Sequence, residues 1–308
     1  MRTEQLQPTT ARHVEQLQQA LCAMTGRLGV AYSGGVDSAV LAALAVDALG
    51  AERVVALLGV SASLAGSERE LAHRVAEQIG VELREVPTHE GENPAYVAND
   101  VDRCFHCKDE LFTRIDDELA AELGLAAVAY GENADDAQRP DRPGSRAATN
   151  HQVLRPLADA GFTKPQVREV ARALGLQVAD KPAAPCLASR IPHGEAVTPE
   201  KLRQVEDAEA AVRAAGFSDC RVRHHGNIAR IELPTDELGR IAQPEVRLRL
   251  LADVREAGFA HATLDLAGIQ SGAFTMQILK LGGTTPLEPP GSREPVETFP
   301  EPVEGSGA

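Results

Sequence analysis

The fold of this chain is decided by residues 28–50, "LGVAYSGGVDSAVLAALAVDALG". The apolar start of this stretch, residues 28–33, predicts a buried β-strand. Residues 38–49 are apolar on nearly every side, which predicts a helix packed into a sheet, and Gly50 supplies its end. A buried strand that turns through small residues directly into a buried helix is typical of a nucleotide-binding α/β fold.

The turn between the predicted strand and helix, "SGGVDS" at residues 33–38, is suited to holding a phosphate. Two glycines let the backbone approach an anion closely, and free N–H groups and the helix dipole face it. Ser33 and Ser38 can add hydroxyl donors. The turn has no lysine, which excludes the G-x-x-x-x-G-K-[ST] loop, and it lacks the G-x-G-x-x-G pattern of dinucleotide binding.

Strands and helices continue to alternate after this stretch. Further strands are predicted at 53–62, 81–88, 125–133 and, as a fifth, at "QVLRPLAD", residues 152–159. The intervening helices include one that Ser67 and Glu70 would start as a capping box. Such alternation predicts a doubly wound, parallel α/β sheet with its ligand beyond the carboxyl ends of the strands.

The pattern changes after Cys186, to helix, two strands, helix and strand. We therefore expect a nucleotide-binding domain over 1–185 and a smaller α+β domain over 186–285. Residues 286–308 are rich in proline and glutamate and poor in apolar residues, a composition that predicts a disordered tail.

Composition limits the partners of the protein. The formal net charge of −14 argues against broad electrostatic capture of nucleic acid or of an anionic membrane surface. No apolar segment has the length of a membrane span, and the first residues lack a signal-peptide pattern. We expect a cytoplasmic protein with neither nucleic acid nor membrane as partner.

Three of the five cysteines form a pattern of their own. Cys104 and Cys107 lie in "DRCFHCKDELF", and Cys186 lies in the proline-bounded "KPAAPCLASRIPHGE" beside Ser189 and Arg190. The three thiols could bind zinc with a histidine as the fourth ligand, or hold an iron–sulfur cluster with one open iron, or Cys186 could act as a nucleophile. The candidate fourth zinc ligands are His106 and His193. Cys22 and Cys220 have no partners in sequence and are expected to be ordinary thiols.

"SGGVDS" resembles the signature of the PP-loop ATP pyrophosphatases. The resemblance implies a fold of the PP-loop or adenine nucleotide hydrolase type and cleavage of ATP between its α and β phosphates, with transfer of AMP to an oxygen of the substrate. It also implies Mg²⁺, for which Asp37 is the first candidate ligand and Asp135 and Asp136 are the second ones. The residues it assigns to ATP are Ser33, Gly34, Gly35, Val36, Asp37 and Ser38.

"SGGVDS", "CFHCK", "GENADDAQRPDRPGSRAA", "RPLADAGFTKPQVREVARALGL" and "KPAAPCLASRIPHGE" together resemble the LarE family of sulfur transferases, over about residues 10–272. The resemblance implies that carboxylates of a pyridinium-3,5-dicarboxylate mononucleotide are adenylated and converted to thiocarboxylates, for the nickel-pincer cofactor of lactate racemase-type enzymes. One branch of the family sacrifices the sulfur of a cysteine matching Cys186. Another holds a [4Fe–4S] cluster on three cysteines, and because Cys104, Cys107 and Cys186 match them, the cluster version is predicted.

The resemblance carries further residues with it. Ser189, Arg190, Arg221 and Arg223 are expected to bind substrate, and the last two alternate along one strand and so share a face. Arg142 and Arg146 are candidates for nucleotide phosphate, and a homo-oligomer is expected. Two departures from the family pattern are Glu132, where threonine is usual, and Gln270, where an arginine is lost.

Two other functions compete with this interpretation. The first is a PP-loop tRNA thiolase, which would need an RNA-binding module or a basic surface. The second is a nucleotide-binding regulatory module in which zinc at the cysteines only braces the fold.

Overall fold

A computed structural model describes residues 5–138 and 143–269 and contains the predicted parallel sheet. Its strands are β1 (Arg27–Ala31), β2 (Val54–Val60), β3 (Glu82–Pro87) and β4 (Leu125–Tyr130). They are all parallel in the order β3-β2-β1-β4. The α/β class expected from the alternation is confirmed.

Helices cover both faces of this sheet. They are α1 (Pro8–Cys22), α2 (Val36–Leu49), α3 (Gly66–Ile79), α4 (Pro94–Val97), α5 (Arg103–Arg114), α6 (Ala120–Leu123), α7 (Ala134–Ala137), α8 (Pro143–Asn150), α9 (Pro156–Asp159) and α10 (Lys164–Ala173). One face of the sheet packs on α1, α2, α3 and α10, and the other packs on α5 and α8. Side chains of β2 alternate between the two cores. Because both faces of the strand are buried, its sequence is continuously apolar. None of the helices within the described ranges combines the length and apolar character that crossing a bilayer requires.

The predicted fifth strand is wrong. Residues 152–159 contribute one isolated parallel bridge, Leu154 to Ala129, and then enter helix α9. Pro156 is the physical reason, because proline has no N–H to continue a ladder and its fixed φ suits the first position of a helix.

The predicted capping box of α3 is also wrong. The helix begins at Gly66, so Ser67 lies inside its first turn and caps nothing. The free N–H of Gly66 donates instead to the carboxylate of Glu206 at 2.6 Å, a partner 140 residues away. At α10 the local signal is sufficient, because Thr163 and Gln166 form a reciprocal capping box there.

A second, smaller sheet follows Cys186, with the predicted helix, two strands, helix and strand. Its elements are α11 (Pro199–Ala214), β5 (Arg221–His225), β6 (Ile228–Glu232), α12 (Pro244–Glu256) and β7 (His261–Leu264). Strand β6 pairs antiparallel with β5 and parallel with β7 around a separate apolar core. The domain boundary at 185 and 186 stays a prediction, and the proposed tail, 286–308, lies outside the described residues.

Candidate active site

The loop between β1 and α2 is closed by its own hydroxyls. Ser38 Oγ accepts the N–H of Ser33 at 3.2 Å and donates to the carbonyl of Gly35 at 3.0 Å. Gly34 has φ +71°, and a Cβ there would lie 2.7 Å from the Cβ of Ala72. No side chain caps α2 at Gly35, so the N–H groups of its first turn are available to an anion.

The end of β4 packs directly against the start of α2. A Cβ at Gly131 would lie 2.6 Å from the backbone nitrogen of Ser38 and 2.8 Å from the carbonyl carbon of Asp37. Only glycine allows this approach. The position of the first turn of α2 therefore depends on a residue 94 positions later in the chain.

Asp37 is held by residues from two other segments. Asn133 Nδ2 donates to Asp37 Oδ1 at 3.0 Å and to Asp136 Oδ2 at 2.9 Å. The ammonium of Lys164, at the start of α10, forms an ion pair with Asp37 Oδ2. Asp135 accepts the backbone N–H of Lys164 at 2.8 Å. A lysine absent from the loop in sequence is thus brought to it by the fold.

Two of the predicted cysteines line the same pocket as the loop. Cys107 lies on α5, and Cys186 immediately precedes a 3₁₀ turn over Leu187–Arg190. The pocket has a volume of about 330 Å³ and is lined by residues of the loop, by the ends of the strands and by both thiols. Cys104 lies on the same helix as Cys107, is exposed, and does not line the pocket.

The thiols of the pocket are hard to ionise. Burial raises the pKa of Cys107 well above its usual value, and the negative charges of Glu90 and the other two cysteines add to the increase. Partial desolvation raises the pKa of Cys186 as well, although the guanidinium of Arg103 opposes the shift. Both side chains are therefore neutral thiols near pH 7 in the protein alone, and a thiolate there needs a base or a bound metal.

The three cysteines fit a cluster by their chemistry but are not arranged around a single ion. Within residues 5–138 and 143–269, no three histidine, cysteine or acidic side chains are grouped closely enough to hold a metal ion. In a cluster each thiolate binds a different iron, so the sulfurs stand farther apart than around one zinc. Cys104 and Cys186 both contribute to the raised pKa of Cys107, and Cys104 contributes to that of Cys186, so the three thiols lie near one another. Three thiols are a donor set of the type that an iron–sulfur cluster takes.

The predicted substrate arginines surround the backbone of the Cys186 turn. Arg190 donates to the carbonyl of Pro185 at 2.6 Å and pairs with buried Glu209 at 2.8 Å. Arg223 donates to the carbonyl of Ser189 at 3.0 Å and pairs with buried Glu232 at 2.9 Å. These contacts fix the turn that carries the thiol.

Arg221 completes this arginine cluster. Its guanidinium donates to the carbonyl of Ala183 at 3.3 Å. Burial lowers its pKa, and the positive charges of Arg190 and Arg223 lower it further. The mutual repulsion of the three guanidinium groups would be relieved by an anion.

Asn99 links the two cysteine segments, and the sequence analysis missed it. It is fully buried with φ +57°. Its Nδ2 is directed at three carbonyls of the chain after Cys186, and its Oδ1 accepts a hydrogen bond from Arg103 at 2.5 Å. Arg103 in turn donates to the carbonyl of Ala188 at 2.9 Å, so the turn with Cys186 is attached to the helix with Cys104 and Cys107.

The remaining residues singled out from the sequence lie beside α5, in the pocket, or outside the described residues. Arg146 pairs with Asp102 at 3.0 Å and stacks on Phe105, beside the start of α5. Glu132 is buried, lines the pocket and accepts a hydrogen bond from Ser145. Arg142 and Gln270 lie outside the described residues.

Comparison with known proteins gives matches over most of the chain. The family model for NAD synthase matches residues 12–103, which contain the loop between β1 and α2. An uncharacterized protein of Synechocystis sp. is 43% identical over 251 residues, covering 82% of this chain and 92% of the relative. The pyridinium-3,5-bisthiocarboxylic acid mononucleotide synthase of Lactiplantibacillus plantarum is 33% identical over 254 residues, 82% of this chain and 91% of that enzyme.

A weaker match concerns RNA modification. The tRNA-specific 2-thiouridylase of Rhodopseudomonas palustris is 32% identical over 193 residues. That similarity covers 50% of this chain and 47% of the thiouridylase, so it concerns part of each protein only.

Proposed function

Because the chain belongs to the LarE family of pyridinium-3,5-bisthiocarboxylic acid mononucleotide synthases, ATP-dependent enzymes of the PP-loop superfamily that form AMP and pyrophosphate, we propose that it converts carboxylates of a pyridinium-3,5-dicarboxylate mononucleotide to thiocarboxylates. The product would serve the nickel-pincer cofactor of lactate racemase-type enzymes. We further propose the three-cysteine, cluster-dependent version of this reaction. A homo-oligomeric state stays a prediction.

The observation that supports the proposal most directly is the shared pocket. The loop residues Ser33 and Asp37 line it together with Cys107 and Cys186. An acyl group activated at the loop would therefore be within one pocket of a sulfur atom, without transfer through water. Carboxylate oxygen leaves poorly, whereas an acyl-adenylate loses AMP, so activation and sulfur delivery need to be adjacent.

In the first step, a carboxylate oxygen of the substrate attacks the α-phosphorus of ATP and pyrophosphate leaves. The N–H groups at the start of α2 would bind the departing pyrophosphate, with Ser33 and Ser38 as further donors. We assign Mg²⁺ to Asp37, oriented by Asn133, and we assign to Lys164 the positive charge that other phosphate-binding loops carry within the loop itself.

In the second step, sulfur displaces AMP from the acyl carbon. A cluster held by Cys104, Cys107 and Cys186 would supply a sulfide for this displacement and allow repeated turnover. In the alternative, Cys186 Sγ attacks the acyl carbon and AMP leaves with the electron pair, forming a thioester. Loss of the Cα proton of Cys186 and cleavage of its Cβ–S bond then release the thiocarboxylate and leave dehydroalanine.

We assign the substrate phosphate to the arginine cluster around the Cys186 turn. Arg190, Arg221 and Arg223 repel one another there, and Ser189 adds a hydroxyl. All three guanidinium groups donate to carbonyls of this segment, so a phosphate bound there would meet more than one of them.

The test is to incubate the reconstituted protein with Mg-ATP, the pyridinium dicarboxylate nucleotide and a sulfide source. We expect AMP, pyrophosphate and a product whose mass reports oxygen-for-sulfur exchange. A parallel incubation contains transfer RNA instead of the nucleotide. Thiolated RNA and unchanged mononucleotide would refute the proposal in favour of the thiouridylase function.

Metal content separates the two sulfur sources. Protein purified without oxygen is expected to be brown and to contain about four irons with matching acid-labile sulfide per chain. Simultaneous replacement of Cys104 and Cys107 by serine should remove the iron. Stoichiometric zinc, or no metal together with dehydroalanine at position 186, would exclude the cluster version.

Lys164→Met is expected to slow pyrophosphate release by about 10²-fold, because a fixed positive charge beside the developing phosphate charge is lost. The measurement is pyrophosphate formation at saturating nucleotide. Lys201→Met is the matched control, since Lys201 pairs with Glu195 at 3.2 Å and not with Asp37 of the loop. Equal rates for the two variants would contradict the role given to Lys164.

A further inference from the structure

A buried carboxylate in the pocket has no role in the steps described above. Glu90 begins a short 3₁₀ turn after β3 and is 2% exposed. It lines the pocket that also contains Asp37, Cys107 and Cys186. An acidic side chain is seldom buried this completely without a partner of opposite charge.

The contacts of Glu90 are incomplete. Ser61 Oγ donates a hydrogen bond to Oε1 at 2.5 Å. Oε2 is buried and has no hydrogen-bond partner among the residues that the structure describes. One hydroxyl is less than a buried, ionised carboxylate needs, so a positively charged group or a further donor in the pocket is expected to complete its environment.

The position of Glu90 separates it from the phosphate site. In the order β3-β2-β1-β4, the end of β3 is two strands from the end of β1, or about 10 Å at the usual strand spacing. Glu90 also lies near the thiol of Cys107, because the negative charge of Glu90 contributes to the raised pKa of that thiol. Glu90 thus faces the space between the nucleotide loop and the sulfur atoms.

This space has to hold the part of the substrate that carries the activated carbonyl. In the proposed function, on which this inference rests, that part is a pyridinium ring, which is a permanent cation without an N–H. Leu58, Leu111 and Phe112 line the same pocket and offer apolar surface to the faces of a ring.

We propose that Glu90 is the charge partner of the cationic ring and selects the pyridinium form of the substrate over uncharged analogues. Ser61 holds one carboxylate oxygen, and the ring cation lies against the other. In a largely apolar pocket, a carboxylate favours a cationic ring over an uncharged ring of similar shape. The shape of the pocket alone would not distinguish the two rings.

The experiment compares two probes that differ in the charge of the ring. The cationic probe is the pyridinium-3,5-dicarboxylate mononucleotide, and the second probe is its 1,4-dihydropyridine form, whose ring is neutral. Dissociation constants are measured with full-length wild type and Glu90→Gln in the presence of a non-hydrolysable ATP analogue. Wild type is expected to prefer the cationic probe by about tenfold or more, and Glu90→Gln to lose that preference. Glutamine keeps the size of the side chain and an acceptor for Ser61.

Glu92→Gln is the matched control. Glu92 lies in the same turn, but its side chain is 84% exposed, so the variant should keep the wild-type preference. Unchanged affinity of Glu90→Gln for the ATP analogue shows that the pocket is still folded.

Two results overturn the inference. In the first, Glu90→Gln retains the preference for the cationic probe or lowers the affinity for the ATP analogue instead. Glu90 then contacts something other than the ring, while the proposed function stands. If wild type binds neither probe, the proposed function fails and this assignment fails with it.

Discussion

Cys186→Ala is expected to release pyrophosphate at close to the wild-type rate and to form thiocarboxylate at least about 10³-fold more slowly. The loop that activates ATP is built from β1, α2, Asn133 and Lys164, and none of these contacts involves the thiol. Sulfur delivery, in contrast, depends on Cys186, either as a ligand of the proposed cluster or as the sulfur donor of the alternative. Both quantities can be followed in one reaction, pyrophosphate by a coupled assay and product by mass spectrometry.

The matched control is Cys22→Ala. Cys22 is an exposed thiol at the end of α1, and its Sγ donates to the carbonyl of Ala48 at 3.5 Å. Its loss should change neither quantity. Normal thiolation by Cys186→Ala would remove the central residue of the proposal, and loss of pyrophosphate release would mean that the cysteine acts before adenylation.

Gly131→Ala is expected to abolish both steps together, with at least about a 10²-fold loss of pyrophosphate release. The new methyl group would meet the backbone of Asp37 and Ser38 at 2.6–2.9 Å, and backbone cannot rotate aside as a side chain can. The start of α2 must therefore shift. Overpacking of this kind costs about 1–3 kcal/mol in the free energy of unfolding.

Gly91→Ala tests whether any added methyl near the pocket has this effect. Gly91 also lies beyond the end of a strand, but a Cβ at this position would have no atom of the described residues within 4 Å. ATP affinity by titration calorimetry and the unfolding midpoint should be unchanged for Gly91→Ala and reduced for Gly131→Ala. Wild-type ATP affinity in Gly131→Ala would mean that phosphate does not bind at the first turn of α2.

Much of the fold follows from local patterns. The strand, turn and helix of residues 28–50 were predictable because apolar burial, the two glycines and the helix start all agree on one geometry. The smaller sheet was predictable as well, since its helix, two strands, helix and strand follow one another in the sequence, and α11 and α12 both contribute apolar side chains to its core.

The predictions of the fifth strand and of the α3 capping box were wrong because one residue in each case overrides the local sequence pattern. Pro156 turns an apolar run into a helix start, and Glu206 caps α3 from a distant helix. The apolar spacing around Leu154 is still suited to a strand, but backbone donors decide whether a ladder continues.

Several site residues had no signal in the sequence. Lys164 is 127 positions from Asp37, and Asn99 is more than 90 positions from the carbonyls that it contacts. Glu90 is one of many glutamates, and only its burial beside Ser61 distinguishes it. Motifs report residues that act through local spacing, whereas these three act through contacts made by the tertiary fold.

The attachment of the Cys186 turn to the helix of Cys104 and Cys107 has a consequence for biosynthesis. The ribosome completes all four strands of the parallel sheet long before Asn99 and Arg103 can meet residues 188–195. Contacts of such large sequence separation form late, so the nascent chain passes through a stage with an ordered nucleotide loop and an unattached third thiol. We expect Cys186 of ribosome-bound chains to react with an alkylating reagent faster before the chain has emerged past residue 195 than afterwards, because the attached turn raises the pKa of this exposed thiol.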